Sequence, residues 1–220
     1  LPQLKTVSLI TNGLKPQIVI PRVRQVFSVL ASRNIGLDIM ISIDGLGDIH
    51  DQVRGRKGNF DAAIECINYF RSNKIGTSHR LGCTLIADNI EYAEQLMLWA
   101  EKENIYCRFR VGIPHQRLYT KDKNEPFTLS PKQKFHLCNF LDTLATSYES
   151  LRPYRKLYLK NLRNQIAYQL PRTNGCAWQD KGVTLLANGD FAYCAVESPT
   201  LGNLIKYPQK AESFYFENLD

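Results

Sequence analysis

Four apolar strand segments, each followed by a stretch of helical period, constrain the fold of this 220-residue chain more than any other feature. The segments are residues 7–10, 37–43, 82–87 and 106–111. Strands that alternate with helices form parallel sheets, because each helix returns the chain to the edge where the previous strand began. The segments are apolar throughout rather than alternating, which is typical of strands covered on both faces. The pattern leaves an open doubly wound sheet and a barrel as alternatives.

Helix starts are predicted from residues that favour the first turn. Proline suits the first helical position, and Ser, Asn or Asp suits the position before it, where its side chain accepts a backbone hydrogen bond. A Glu or Gln three residues later strengthens the signal. The predicted starts are Pro21, Asn59, Asp88 with Glu91, and Ser130 with Gln133.

Polar residues follow the predicted strands. Thr11, Asn12 and Gly13 follow the first strand, and Ser42 to Gly45 close the second. In parallel α/β folds the functional groups lie at the carboxyl ends of the strands. The sequence therefore predicts the functional site at this edge.

The pattern changes near residue 150, which predicts a domain over 1–150 and a smaller region over 151–220. A helix is predicted over 155–170 and a β-hairpin over 182–193. The turn of the hairpin is Asn188-Gly189, the dipeptide that favours a type I′ turn. Cys176 precedes the hairpin, and Cys194 ends it.

Composition excludes several classes of protein. The net charge is +7, with 28 Lys and Arg against 21 Asp and Glu, but the basic residues are scattered. We therefore expect no nucleic-acid surface and read the excess as a solvated basic face. No apolar run is long enough to span a membrane, and no signal peptide is visible. The six cysteines do not read as a secreted disulfide framework, so we expect a cytoplasmic protein.

These motifs carry a family resemblance. Thr11-Asn12-Gly13, Ser42-Ile43-Asp44-Gly45 and the segment from His50 to Gly55 resemble strand ends of radical S-adenosylmethionine (SAM) enzymes. Cys176-x12-Gly189-x4-Cys194 resembles the start of the SPASM or twitch extension that one branch of this family carries. The likeness covers roughly residues 6–205.

The resemblance implies a partial (β/α)6 barrel of parallel strands with its last four units present, followed by a small auxiliary region with a helix and a β-hairpin. The C-x3-C-x2-C motif that holds the catalytic [4Fe–4S] cluster in this family is absent from the 220 residues. We therefore expect a fragment or a degenerate relative, and we expect that these residues alone do not cleave SAM. An unpaired first strand also exposes a sheet edge, which favours further residues or a partner chain.

The resemblance assigns SAM contacts at the strand ends. Thr11, Asn12 and Ser42 would contact the ribose or carboxylate region, with Asp44 on the same rim. Arg54 would hold the methionyl carboxylate, since a guanidinium pairs with a carboxylate through two hydrogen bonds. The alternatives are that Asn12-Gly13 is a turn, that Asp44 bonds its own backbone, and that Arg54 is a surface arginine.

The cysteines divide into two sets. By resemblance, Cys176 and Cys194 are ligands of an auxiliary iron–sulfur cluster, with a disulfide and a zinc site as alternatives. The other four show no pair spacing and are read as buried hydrophobic residues: Cys66, Cys83, Cys107 and Cys138.

The resulting hypothesis is a radical SAM oxidoreductase or maturase that acts on a peptide or a small molecule. A reductant such as flavodoxin or ferredoxin would be its electron-transfer partner. The alternative is a truncated relative without radical chemistry that binds a peptide or a partner protein. A weaker alternative is an α/β phosphate-binding enzyme, of which the loop from Gly55 to Gly58 is only a faint sign.

Overall fold

A computed structural model describes residues 3–113, 127–173, 182–194, 196 and 198–217. The described residues form two compact units. The first contains residues 3–112 and 127–140, and the second contains residue 113 and the described residues from 141 onward.

Four parallel strands in the order β1-β2-β3-β4 form the sheet of the first unit. They are β1 (Thr6–Thr11), β2 (Gly36–Ser42), β3 (Ser78–Leu85) and β4 (Tyr106–Val111). The sequential order, with a helical connection after each of the first three strands, is that of a partial barrel. The predicted fold class is confirmed as an α/β fold with four parallel strands in one sheet, consistent with a partial barrel.

The helices of the first unit lie between and after these strands. They are α1 (Pro16–Ala31), α2 (Asp48–Val53), α3 (Asn59–Ser72), α4 (Ala93–Lys102) and α5 (Pro131–Thr143), and a short 3₁₀ turn over Ile90–Tyr92 precedes α4.

The two faces of the sheet differ in polarity. The helix-covered face of β2 consists of Leu37, Ile39 and Ile41, all fully buried. Residues that alternate with them on β2, β3 and β4 form what we call the polar face: Asp38, Met40, Ser42, Ser78, Arg80, Gly82, Thr84, Tyr106, Arg108 and Arg110. The interpretation of these strands as apolar throughout is therefore wrong, because their polar positions alternate with apolar ones and lie on one common face.

The predicted helix starts have mixed outcomes. Ser130 and Gln133 form the predicted capping box, with reciprocal bonds of 3.0 Å and 3.3 Å between each side chain and the other backbone N–H. Pro21 does not begin a helix, since α1 begins at Pro16 and Pro21 lies inside it. The N-terminus of α4 carries no side-chain cap, so the pair of Asp88 and Glu91 does not cap it.

The second unit contains a helix and a small antiparallel sheet. Its elements are a π-helical turn (Leu144–Tyr148), α6 (Pro153–Tyr168), β5 (Thr184–Leu185), β6 (Asp190–Ala192), β7 (Gly202–Asn203), a 3₁₀ turn (Pro208–Lys210) and α7 (Ala211–Phe216). The predicted hairpin is present as β5 and β6, and β7 pairs with β6 as a third strand.

The turn of the hairpin differs from the predicted type I′ turn. Leu186 and Asp190 close a three-residue loop through a 2.8 Å hydrogen bond, and Gly189 has φ of +86°. Asn188 is not among the residues with positive φ, which a type I′ turn requires at both central positions. The Asn188 side chain instead accepts from the Asp190 N–H and donates to the Asp190 carboxylate.

Within the described ranges, no helix is both long and apolar enough to cross a lipid bilayer.

Candidate functional site

The carboxyl ends of β1 and β2 bring the predicted site residues to one edge of the sheet. Thr11 is paired with Ile41, one residue before Ser42, and Ser42 is paired with Gly82 of β3. Asn12 and Asp44 lie just beyond the ends of β1 and β2. Four of the five predicted SAM contacts thus follow two neighbouring strands at the same edge.

Asp44 is the most connected residue of this edge. Its side chain is 4% exposed, and its Oδ1 atom accepts a hydrogen bond of 2.9 Å from the Thr84 N–H. Its Oδ2 atom lies 2.6 Å from an amino group of Arg54, whose side chain is 31% exposed. The carboxylate therefore joins the end of β2 to β3 and to the residue that follows α2.

Asn89, the residue before the 3₁₀ turn, also joins the ends of β2 and β3. It is buried, and its Nδ2 atom donates to the backbone carbonyls of Asp44 and Thr84, each at 2.9 Å. Its Oδ1 atom accepts from the Ile86 N–H at 2.8 Å. Because its side-chain amide satisfies three backbone groups, Asn89 fixes the ends of both strands relative to each other.

His50 is buried on α2 and holds the backbone at the end of β2. Its Nδ1 atom accepts a 2.9 Å hydrogen bond from the Asp44 N–H. Burial lowers the pKa of His50 below its ordinary value of 6.5, and the attraction of Asp44 only partly offsets this effect. The ring is therefore neutral, with its proton on Nε2, which has no hydrogen-bond partner among the described residues.

Asp51, the next residue, caps α3. Its carboxylate accepts from the backbone N–H groups of Gly58 and Phe60. Partial burial raises the pKa of Asp51, but these hydrogen bonds outweigh that effect, so the net pKa is lowered. Asn59 was predicted to cap this helix and does not: it is the first helical residue, and its buried Oδ1 atom has no partner in the described structure.

The segment after β1 is a tight turn pressed against α3. The Thr11 hydroxyl accepts from the Gly13 N–H at 3.2 Å, and the side-chain Oδ1 atom of Asn12 accepts from the Leu14 N–H at 3.1 Å. Gly13 has φ of +66°, and a Cβ there would lie 2.8 Å from the Cα of Ala63. The turn alternative for this segment is thus part of the structure, and it leaves the Thr11 O–H and the Asn12 NH₂ as donors.

Ser42 lies half-buried on the polar face, beside Gly82. A Cβ at Gly82 would lie 2.9 Å from the sulfur of Met40, so the glycine gives the Met40 side chain room to lie across β3. The next positions along this face are Thr84, paired with Arg110, and Arg108, paired with Gly82. Thr84 and Arg110 are exposed and face the same side as Ser42.

Sequence reasoning placed Thr84 and Arg110 at the ends of the third and fourth strands, but it missed the bonds of His50 and Asn89 and the position of Arg108 on the polar face. His50 and Asn89 act through side-chain bonds to residues 6 and 45 positions away, which no local pattern reveals. Arg108 and Arg110 had a signal, since they alternate with apolar residues at the end of a strand.

The residues present fit one implied cofactor better than the other. For SAM, the turn donors of Thr11 and Asn12 and the Ser42 hydroxyl suit ribose hydroxyls and a carboxylate. Arg54 is bound to Asp44 through one amino group, so its remaining N–H groups are still available to an anion.

For an iron–sulfur cluster, the described residues hold no group of three or more His, Cys, Asp or Glu side chains that could bind a metal ion. Cys194 is half-buried at the end of β6, and Cys176 lies outside the described residues.

The remaining cysteines are buried core residues, as predicted: Cys66, Cys83, Cys107 and Cys138. Burial, with a smaller contribution from Glu65, raises the pKa of Cys66 to about 11. Burial also raises the pKa of Cys83 and Cys107. These thiols stay protonated at neutral pH, whereas a metal ligand must be a thiolate.

Comparison with solved structures places this geometry among known folds. This chain is similar in fold to anSMEcpe. The structure of native anSMEcpe with bound AdoMet superposes with a TM-score of 0.60 at 16% sequence identity, covering 96% of this chain and 57% of that chain. Two further anSMEcpe structures contain AdoMet and a peptide. The one with Cp18Cys peptide has a TM-score of 0.58 at 17% identity, and the one with Kp18Cys peptide has a TM-score of 0.60 at 18% identity, each with the same coverage of 96% and 57%.

The likeness to anSMEcpe is one of fold. The chain spans 57% of the length of the anSMEcpe chain with bound AdoMet. No family model matches the sequence, and no curated protein matches it.

Proposed function

We propose that this chain is the SAM-binding part of a radical SAM enzyme that modifies a peptide. The observation that carries the proposal is the position of Thr11, Asn12, Ser42 and Asp44. All four lie at the carboxyl ends of two neighbouring parallel strands, in a fold shared with proteins that bind AdoMet. In such enzymes a reduced [4Fe–4S] cluster cleaves SAM to give a 5′-deoxyadenosyl radical, which removes a hydrogen atom from the substrate.

The residues of this chain would bind and orient SAM. Thr11 and Asn12 would donate hydrogen bonds from the turn after β1, and Ser42 would contribute its hydroxyl from the end of β2. Asp44 would act mainly by holding Arg54, whose free N–H groups would meet the methionyl carboxylate. This arrangement is rigid, because Asp44 is fixed by Thr84, Asn89 and His50.

A peptide is the proposed substrate class because two of the AdoMet-bound structures that share this fold contain one. The exposed end of the polar face, where Thr84 and Arg110 lie beside Ser42, would receive it. The domain bounds 1–150 and 151–220 and the auxiliary ligands Cys176 and Cys194 stay predictions. Catalytic cluster ligands and a flavodoxin or ferredoxin reductant belong to the proposal as parts outside these residues.

The first experiment measures SAM binding by equilibrium dialysis with labelled SAM, on anaerobically purified protein. We expect Asn12→Ala and Ser42→Ala to weaken binding by about tenfold each, the loss of roughly one hydrogen bond to a ligand. Ser8→Ala is the matched control. Ser8 is paired with Asp38, so it lies on the same face of the sheet as Ser42, but it is near the amino end of β1. Equal affinities in all four proteins would contradict the proposed SAM site.

The second experiment tests the chemistry on anaerobically purified full-length protein with its native termini, because the proposed ligands of the catalytic cluster lie outside these 220 residues. Iron and acid-labile sulfide are measured together with an electron paramagnetic resonance spectrum before and after SAM is added. A [4Fe–4S] signal that changes with SAM supports the enzyme. Protein without iron and without a response to SAM would contradict it and favour a relative that binds a peptide or partner without radical chemistry.

A further inference from the structure

An apolar patch lies exposed on α6 and just before its first residue, in the second unit. It consists of Leu151, Tyr154, Leu157 and Tyr158, with exposed fractions of 94%, 89%, 52% and 39%. We call these four residues the α6 patch. Three of them follow one another at helical spacing on one side of α6, while Leu159, on the opposite side, is 1% exposed. Contiguous exposed apolar residues with two tyrosines are typical of a protein-binding surface.

The surroundings of the α6 patch are basic. The helix contains Arg155, Lys156, Lys160 and Arg163 and no Asp or Glu. Arg155 lies over the ring of Tyr158, with its guanidinium carbon 5.2 Å from the ring centroid. Lys160 lies one turn from Leu157 and is exposed. Charge therefore flanks the apolar residues on both sides.

The nearby acidic residues do not neutralise this surface. Glu149 is 1% exposed, and its two oxygens are bound to Arg152 at 3.0 Å and to Arg155 at 3.3 Å. Asp142 is paired with Arg163 at 3.2 Å. Lys156 and Lys160 have no ion pair among the described residues. The positive charges of Lys156 and Lys160 are therefore not neutralised by these pairs, so an acidic partner is favoured over a basic one.

The size of the α6 patch favours a short acidic peptide segment over a folded acidic protein. Tyr154 to Tyr158 covers about 6 Å of helix at 1.5 Å per residue, and a single helix presents a convex surface. A stable interface between two folded proteins buries about 800 Å² on each side, which needs 20–30 residues. Four side chains are enough for a short segment instead.

We propose that the α6 patch binds an acidic peptide segment in which carboxylates flank one or two apolar side chains. The apolar side chains pack between Tyr154 and Leu157, and the carboxylates pair with Lys160 and the other basic residues. The α6 patch shares no residue with the proposed SAM contacts, and its binding needs neither SAM nor iron. Its test therefore succeeds or fails independently of the proposed radical chemistry.

The experiment selects binders from a display library of random 12-residue peptides, with the full chain as bait. The enriched peptides are synthesised with a fluorescent label, and their affinities are measured by polarisation. We expect Asp and Glu to be enriched beside aromatic or aliphatic residues. We also expect the affinity to fall steeply between low and high salt, because exposed charge pairs are screened.

Two pairs of variants locate the binding. Tyr154→Ser/Leu157→Ser should lose about tenfold or more in affinity, as expected when a tyrosine anchor is removed, whereas Leu98→Ser should not. Leu98 is a matched control because it is an exposed leucine, at 56%, on α4. Lys160→Glu should weaken binding, and Lys102→Glu, the same charge change on α4, should leave it unchanged. Thermal melting confirms that each variant is folded.

Several results would overturn the proposal. The first two are a selection without enrichment above background and enriched peptides without acidic residues. The third is a peptide that binds the Tyr154→Ser/Leu157→Ser variant and the unmutated chain with equal affinity. A further contrary result would come from the oligomeric state, measured by light scattering. A dimer of the unmutated chain that becomes a monomer in this variant would show that a second copy, rather than a peptide, covers the α6 patch.

Discussion

The Nδ1 atom of His50 accepts a hydrogen bond from the backbone N–H of Asp44, six residues earlier in the chain. This bond ties α2 back onto the end of β2, where the proposed SAM contacts lie. It requires an unprotonated Nδ1, and His50 is buried, so its neutral form is part of the folded structure.

Stability should therefore depend on the protonation of His50. Burial lowers the pKa of His50 in the folded state below the ordinary value of 6.5, so the unfolded chain takes up the proton first as the pH falls. The contribution of neutral His50 to the free energy of unfolding is complete above pH 6.5. It is lost as the pH falls from 6.5 to the lowered pKa. The slope from this one group is at most about 1.4 kcal/mol per pH unit.

The measurement is urea unfolding of the unmutated chain and of His50→Gln between pH 8 and pH 5. The variant cannot take up the proton, so its stability should fall less over this range. Gln52→Ala, at an exposed position of α2 with no ionisable side chain, is the control and should show the same pH dependence as the unmutated chain. Parallel curves for the unmutated chain and His50→Gln would show that His50 does not titrate in this way.

The ion pair of Asp44 with Arg54 should contribute to stability. Asp44→Asn keeps an acceptor for the Thr84 N–H but removes the charge that faces Arg54. We expect a loss of about 1–3 kcal/mol in the free energy of unfolding, since Asp44 is buried. Asp48→Asn, an exposed residue of α2, should change it by less than about 0.5 kcal/mol. Equal losses in the two variants would mean that the pair is not formed in solution.

Gly13 should be far less tolerant of a side chain than Gly55. Both glycines have positive φ, +66° and +62°, so alanine costs backbone strain of about 1 kcal/mol at each. Only at Gly13 does the new Cβ meet backbone, the Cα of Ala63 at 2.8 Å. We expect Gly13→Ala to cost about 1–3 kcal/mol more than Gly55→Ala in urea unfolding. Equal costs would refute the close approach of the β1 turn to α3.

The core thiols should resist alkylation in the folded chain. Cys66, Cys83 and Cys107 are buried and have raised pKa values, so few thiolates form at pH 8. Iodoacetamide labelling followed by peptide mass spectrometry should modify them only after urea is added. Cys194, which is half-buried, should react faster in metal-free protein. Rapid labelling of Cys83 without urea would contradict its place in the core.

Much of the architecture follows from local sequence alone. The strand-forming segments determine the four parallel strands, because each is separated from the next by a helix-length connection. Ser130 with Gln133 predicts the start of α5, since a capping box satisfies its own backbone groups within four residues. The edge that carries Thr11, Asn12, Ser42 and Asp44 is predicted for the same reason: parallel strands end together.

The connections among those residues were decided only by the tertiary structure. Asp44 with Arg54, His50 with Asp44, and Asn89 with two strand ends are contacts whose energy depends on burial, which no single segment of sequence contains. The cap of α3 shows the same limit: Asn59 has the right residue type, but Asp51 is closer to the free N–H groups once α2 is folded. Sequence determined the strands and the edge of the site, and packing determined which side chains hold one another there.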